Sequence, residues 1–165
     1  MASADIDGTD VVLPNGGTAS LWDVLEQAGI APPFGCGTGH CGACTVLIDG
    51  VPSPSCVVPS GALPNTAVNT VATAALRELV DALAAEGAVQ CGFCSPGMVV
   101  TLSWAVCRAA AEQRVLTATE VREQLVGHLC RCTGYQSIVA ATVATSRNLQ
   151  TVSRAVAPGS APGRP

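Results

Sequence analysis

Eight of the nine cysteines in this 165-residue chain fall into two groups of four, one in each half of the sequence. The first group comprises Cys36, Cys41, Cys44 and Cys56, and the second comprises Cys91, Cys94, Cys130 and Cys132. Thiolates are ligands of zinc and of iron–sulfur clusters, and four of them complete one such centre. The sequence therefore predicts two metal centres, with all eight cysteines as ligands.

The first group has the spacing C-x4-C-x2-C, and its fourth cysteine follows after eleven intervening residues. This spacing is typical of plant-type ferredoxins, which hold one 2Fe-2S cluster. Glycines alternate with the cysteines in the stretch FGCGTGHCGAC, where they allow backbone N–H groups to approach sulfur closely. Zinc stays open as an alternative, although paired C-x2-C segments are its usual form.

The second group consists of CGFC followed, after thirty-five intervening residues, by CRC. Taken alone, CGFC is also compatible with a redox-active dithiol, but that interpretation needs a βαβ setting and the surrounding pattern is helical. The ninth cysteine, Cys107, falls within a predicted helix, and we expect it to be a small buried residue. Because each centre already has four thiolates, we expect neither His40 nor His128 to be a ligand.

Composition and charge exclude several classes of protein. Charged residues make up 12% of the chain and apolar residues 48%, whereas soluble domains average about 25% charged residues, so we expect partner subunits to cover part of the surface. The chain has no Lys and a net charge of -4, which argues against nucleic-acid binding. No Lys or Arg precedes Arg77, so we expect no secretory signal and a cytoplasmic protein. Gly, Pro and Cys interrupt the uncharged stretches, so we expect no membrane span.

Hydrophobic periodicity divides the chain into a mixed first half and a helical second half. It predicts strands at 3–6, 10–13 and 45–48, a helix at 21–28, and a proline-rich connecting segment at 57–70. Four helices of 9 to 18 residues follow, beginning near residues 76, 95, 117 and 137, and we expect them to pack as a bundle with the second cysteine group at their ends. The predicted domains are a ferredoxin-like domain at 1–70, a helical domain at 71–148 and a flexible tail at 149–165.

Three segments carry a resemblance to a known family: CGTGHCGACTVLIDG, QCGFCSPGM and LCRCTGY. Together they resemble the iron–sulfur subunits of molybdenum hydroxylases, the xanthine oxidase and carbon monoxide dehydrogenase group, over about residues 5–146. The resemblance implies an α+β chain with an N-terminal β-grasp 2Fe-2S ferredoxin-like domain and a C-terminal four-helix bundle 2Fe-2S domain. It also implies a large subunit that binds molybdopterin as its cytosine dinucleotide, a medium subunit that binds FAD, and a dimer of heterotrimers.

The same resemblance assigns cofactor contacts to two residues of this chain. Gln90 matches the position that hydrogen-bonds the pterin, and Cys132 matches a cluster ligand that also contacts it. The helical-domain cluster is then nearer the pterin, and the ferredoxin-type cluster is nearer FAD. The chain departs from the family pattern at Phe34, where Lys is usual, and at Asn69-Thr70-Val71, where a Thr-Ile-Glu run is common. These departures affect residues of interfaces and loops, and none of them replaces one of the eight cysteines.

We therefore expect an electron-transfer subunit that has no substrate pocket of its own. Aromatic N-heterocycles, purines, aldehydes and carbon monoxide all stay open as substrates of the complete enzyme. The alternatives are a structural zinc-binding interaction module and a free-standing ferredoxin. Visible absorption distinguishes the first alternative, because zinc thiolate sites are colourless, and the low proportion of charged residues argues against the second.

Overall fold

The N-terminal part of the chain folds into a five-stranded mixed sheet covered by one helix. The computed structural model describes residues 2–156, with side chains up to Thr151. The strands are β1 (Ser3–Ile6), β2 (Thr9–Val12), β3 (Thr45–Ile48), β4 (Val51–Pro54) and β5 (Ala67–Asn69). Their order across the sheet is β2-β1-β5-β3-β4, in which β1 and β5 run parallel and the other pairs antiparallel.

Local signals explain the first hairpin and the helix. β1 and β2 pair antiparallel around Asp7-Gly8, and both turn residues have positive φ, which confirms the predicted turn. Helix α1 (Leu21–Gln27) begins at a capping box formed by Ser20 and Asp23. Its buried face packs against the sheet and completes a core with β1, β3 and β5.

Two strands lie where the sequence pattern indicated chain breaks. β4 contains Pro52 and Pro54, and a strand at the edge of the sheet tolerates the missing N–H groups. β5 lies inside the predicted connecting segment but occupies the centre of the sheet between β1 and β3. Its three residues are too few to show the hydrophobic alternation of a strand, so β5 could not be predicted from the sequence.

The second half of the described chain is helical. It contains α2 (Val71–Ala74), α3 (Arg77–Ala85), α4 (Ser95–Ala111), α5 (Ala118–Gln124) and α6 (Gln136–Val156). The four longer helices surround a second apolar core, separate from that of the sheet. The chain is thus α+β, with a ferredoxin-like domain followed by a helical domain. Among the described helices, none has an apolar run of the length that a membrane span needs.

Several helix predictions need correction. The capping box of Thr117 with Glu120 is confirmed, but α5 ends at Gln124 and does not run through Leu129. Ser95 is the first residue of α4, and Cys94 takes the N-cap position. Helix α6 extends to Val156, and residues 157–165 of the predicted tail lie outside the described part of the chain.

A carboxylate fastens the start of the helical region to the sheet. Asp7, in the β1–β2 turn, accepts hydrogen bonds from Thr70 N at 2.8 Å and Thr70 Oγ1 at 2.6 Å, and a third from Thr73 Oγ1. Thr70 also caps α2. The turn of the first hairpin therefore fixes where the chain leaves the sheet.

Candidate metal centres

The first cysteine group lies in the loop between α1 and β3 and on the return of the β3–β4 hairpin. The hairpin register pairs Thr45 with Pro54, which brings Ser55 beside Cys44. The Ser55 N and Oγ atoms both donate to the Cys44 carbonyl, at 3.2 Å and 2.8 Å. Cys56 follows directly, so the hairpin accounts for the long interval before the fourth cysteine.

Backbone N–H groups of this loop converge on sulfur. Cys36 Sγ accepts from the N–H groups of Thr38 at 3.4 Å, His40 at 3.3 Å and Cys41 at 3.4 Å. Hydrogen bonding by Thr38, followed by the backbone of Cys41 and His40, lowers the pKa of Cys36 to about 5. Donors aimed at sulfur stabilise a thiolate, which is the form that binds metal.

The second cysteine group lies at the ends of two bundle helices. Cys91 and Cys94 immediately precede α4, and Cys130 and Cys132 precede α6. Cys130 Sγ accepts from Thr133 N at 3.4 Å and Thr133 Oγ1 at 3.1 Å. Burial raises the pKa of Cys130, but hydrogen bonds with Thr133, Cys132 and Cys94 together outweigh it and bring that pKa to about 7.

A tyrosine holds the loop that carries Cys130. Tyr135 has a φ of 62°, in the left-handed region that bulky residues rarely adopt. Its hydroxyl accepts from Cys130 N at 2.7 Å and donates to the His128 carbonyl at 2.9 Å. Tyr135 belongs to the segment LCRCTGY, but its role could not be predicted from the sequence, because its two partners become neighbours only in the folded loop.

Within the first group, the cysteines lie beside each other in pairs. The sulfur atoms of Cys36 and Cys41 each accept a hydrogen bond from the backbone N–H of the other residue at 3.4 Å. Burial, and then a hydrogen bond with Cys44, raise the pKa of Cys56 to about 11. The negative charges of Cys44 and Cys36 add smaller rises to the pKa of Cys56.

The second group shows the same pairing. Burial, and then a hydrogen bond with Cys130, raise the pKa of Cys94 to about 12. Cys91 and Cys132 also share a hydrogen bond, which raises the pKa of Cys132; the pKa of Cys91 is lowered, first by the backbone of Phe93 and then by Cys132.

The pairing of the cysteines indicates which kind of metal centre they fit. No three His, Cys, Asp or Glu side chains in the described residues are placed to hold a single metal ion together. A 2Fe-2S cluster instead distributes its four protein thiolates over two irons. Metal would replace the thiol protons, because metal ligation requires deprotonated sulfur. The donor set and its pairing therefore fit a 2Fe-2S cluster at each group.

The structure also locates the other residues singled out from the sequence. Gln90 is exposed and directly precedes Cys91, whose thiol contacts Cys132, which is exposed as well. The prediction that Cys107 is buried is wrong, since it is exposed at the rim of a groove beside Trp104 and Arg108.

The two histidines occupy different environments. His40 is exposed, and its Nδ1 lies 3.2 Å from Thr38 Oγ1. His128 is buried, and its Nε2 lies 2.8 Å from Thr101 Oγ1. Burial lowers the pKa of His128, with a smaller opposing effect from the backbone of Gly42, which lies near the ring but outside hydrogen-bond geometry with Nδ1.

Comparison with known families matches both halves of the chain. Residues 4–67 match the 2Fe-2S iron-sulfur cluster binding domain, and residues 67–143 match the 2Fe-2S binding domain. The solved structure of quinoline 2-oxidoreductase from Pseudomonas putida 86 superposes with a TM-score of 0.79 and 33% identity, over 94% of this chain and 96% of that one.

Several relatives are subunits of dehydrogenases. The xanthine dehydrogenase iron-sulfur-binding subunit of Escherichia coli O157:H7 is 42% identical over 69% of this chain and 73% of its own length. A 6-hydroxypseudooxynicotine dehydrogenase complex subunit beta of Paenarthrobacter nicotinovorans is also 42% identical, over 66% of this chain and 69% of that protein. The paired thiol groups, the two-domain fold and these matches lead to one conclusion: the chain belongs to the iron–sulfur subunits of the xanthine dehydrogenase family of molybdenum hydroxylases.

Proposed function

We propose that this chain carries electrons through two 2Fe-2S clusters, one held by Cys36, Cys41, Cys44 and Cys56 and the other by Cys91, Cys94, Cys130 and Cys132. The observation that supports this most directly is the convergence of backbone N–H donors on cysteine sulfur in both groups. A bound cluster supplies one-electron chemistry at each group. The chain itself supplies the thiolates and the N–H donors that stabilise negative charge on them.

The partners in this proposal are a large subunit that binds molybdopterin, as its cytosine dinucleotide, and a medium subunit that binds FAD. The complete enzyme would be a dimer of heterotrimers. The names of two relatives, which describe subunits of dehydrogenases, support such partners. The substrate pocket then belongs to another chain, and this chain connects the two cofactors.

Gln90 and Cys132 are the residues that we propose to contact the pterin. Both are exposed beside the same thiol pair, so a partner cofactor could approach them without disturbing the helical core. A Gln side chain offers a donor and an acceptor to the edge of a heterocycle. The helical-domain cluster would then be the first acceptor of electrons from the molybdenum site.

The boundaries and the location belong to the same proposal. A division into 1–70 and 71–148 agrees with the two separate apolar cores, whereas α6 continues into the tail proposed at 149–165 as far as Val156. A cytoplasmic location suits nine cysteines that are all free, because thiolate ligands persist in a reducing compartment.

Metal and sulfide analysis of protein purified without air tests the proposal. We expect about four iron and about four inorganic sulfide per chain, with visible absorption and two distinct EPR signals after reduction. Zinc in place of iron, in colourless protein, would replace this proposal with a structural zinc module. Full iron in a chain that purifies without other subunits would indicate a free-standing ferredoxin.

A further inference from the structure

The two cysteine groups are connected by one backbone hydrogen bond. Leu129 N–H donates to the Cys41 carbonyl oxygen at 3.0 Å, and Leu129 directly precedes Cys130. A path from Cys41 Sγ to Cys130 Sγ therefore crosses this single hydrogen bond and otherwise follows covalent bonds. Among the hydrogen bonds of the described residues, it is the one that joins the two cysteine loops directly.

Two glycines allow this close approach. Gly97, in the first turn of α4, lies so near Gly42 that a methyl group on Gly97 would overlap the Gly42 carbonyl oxygen. A methyl group on Gly42 would overlap the Gly127 carbonyl oxygen and the His128 ring. Backbone contacts without side chains between them thus set the separation of the first cysteine loop from the helical domain.

His128 fills the position behind this contact. Its side chain is 6% exposed, and its ring lies between Thr101 of α4 and Gly42 of the first cysteine loop. Buried threonines in helices usually return their hydroxyl to their own helix. Thr142 and Thr145 of α6 do so at 2.8 Å and 2.9 Å, whereas the Thr101 hydroxyl meets His128 Nε2.

We propose that His128 is a positioning residue for electron transfer between the two clusters. The hydrogen bond between Thr101 Oγ1 and His128 Nε2 fixes the ring against α4. The ring in turn sets the position of the first cysteine loop, so that Leu129 keeps its hydrogen bond to Cys41. This inference rests on the proposed function, because it needs a cluster at each cysteine group. It assigns His128 no contact with either cluster.

Two variants test the role of the ring. His128→Phe keeps an aromatic ring of similar size and removes both nitrogens, and Thr101→Val removes the hydroxyl without changing the shape of the side chain. Thr101→Ser keeps the hydroxyl and is the conservative control. Thr142→Val removes an equally buried hydroxyl that bonds only within α6, and it controls for a general loss of stability.

The measurements use the full chain with its clusters, purified without air. In the fully reduced protein, two neighbouring paramagnetic clusters split each other's EPR signals. We expect His128→Phe and Thr101→Val to lose part of this splitting, to slow electron equilibration between the clusters by ~10-fold, and to speed hydrogen exchange at Leu129 by ~10-fold. Iron content should stay at about four per chain in every variant, and Thr101→Ser and Thr142→Val should match the unmodified protein.

The results separate this inference from the proposed function. Unchanged splitting and unchanged Leu129 exchange in Thr101→Val overturn the inference, even if His128→Phe fails to fold. Loss of iron from Thr101→Val also overturns it, because His128 would then act on assembly of a centre. If the unmodified protein holds its full iron but shows no splitting, the hydrogen bond does not link the two clusters electronically, and the inference is overturned. Absence of iron from the unmodified protein contradicts the proposed function itself.

Discussion

Removing the hydroxyl of Tyr135 should weaken the second metal centre selectively. Tyr135→Phe keeps the ring and deletes the group that bridges Cys130 N at 2.7 Å and the His128 carbonyl at 2.9 Å. An unpaired buried donor or acceptor costs about 1–3 kcal/mol. Because this site is only partly buried, the lower end of that range applies to each partner, and we expect a total of about 2 kcal/mol.

That cost falls on the segment that supplies Cys130 and Cys132. If local opening of this loop limits iron release, 2 kcal/mol corresponds to release that is about 30-fold faster. An iron chelator followed by absorbance measures the rate, and the EPR signals of partly depleted samples show which cluster is lost. We expect the helical-domain signal to disappear first, while the ferredoxin-type signal decays at the unmodified rate.

Thr145→Val provides the control for this experiment. It removes a buried hydroxyl that donates to the Ala141 carbonyl at 2.9 Å within α6, so it costs stability without touching the cysteine loop. Equal rates of iron release in Tyr135→Phe and in unmodified protein would refute the reasoning. Equal acceleration in Tyr135→Phe and Thr145→Val would also refute it, since the effect would then reflect the stability of the whole bundle.

Five other changes give distinct outcomes. Asp7→Asn weakens three hydrogen bonds to the start of the helical region and should lower the free energy of unfolding in urea by about 1–2 kcal/mol. Asp10→Asn, exposed on β2, should change it by less than about 0.5 kcal/mol. Cys107→Ala changes an exposed thiol and should keep about four iron per chain, whereas Cys94→Ala should lose about half of the iron. Loss of an EPR signal from Cys107→Ala would contradict the ligand assignment. Gln90→Leu should leave iron unchanged but reduce the molybdenum content of the complex or slow cluster reduction by substrate, and normal values for both would leave Gln90 without a role at the pterin.

Features encoded by neighbouring residues could be predicted from the sequence. The Asp7-Gly8 turn, the end of α1 before Gly29 and the capping box at Thr117 each depend on a few adjacent residues, and all three are present. The grouping of the cysteines also came from spacing alone. The short strand β5 could not be predicted, because its place depends on pairing with β1 and β3, which are distant in sequence.

The contacts of His128 and Tyr135 escaped prediction for a related reason. His128 lies beside the second group in sequence, but its ring reaches Gly42, a residue of the first cysteine loop. Tyr135 adopts a backbone conformation that its residue type disfavours, and only the two hydrogen bonds of its hydroxyl explain it. Propensity rules assign neither residue a special place, since both roles depend on packing between elements.

The early end of α5 shows how the two centres constrain the fold together. Helix α4 carries the chain about 25 Å away from Cys94 over its 17 residues, and α5 has only 7 residues for the return to Cys130. In a helix continued through Leu129, as the apolar spacing predicted, the Leu129 N–H would donate to a carbonyl oxygen one turn earlier. The observed chain leaves the helix after Gln124 through a turn at residues 125–127, and this frees the Leu129 N–H for Cys41. The hydrogen bond between the cysteine loops thus depends on the same break in the helix that returns Cys130 to its group.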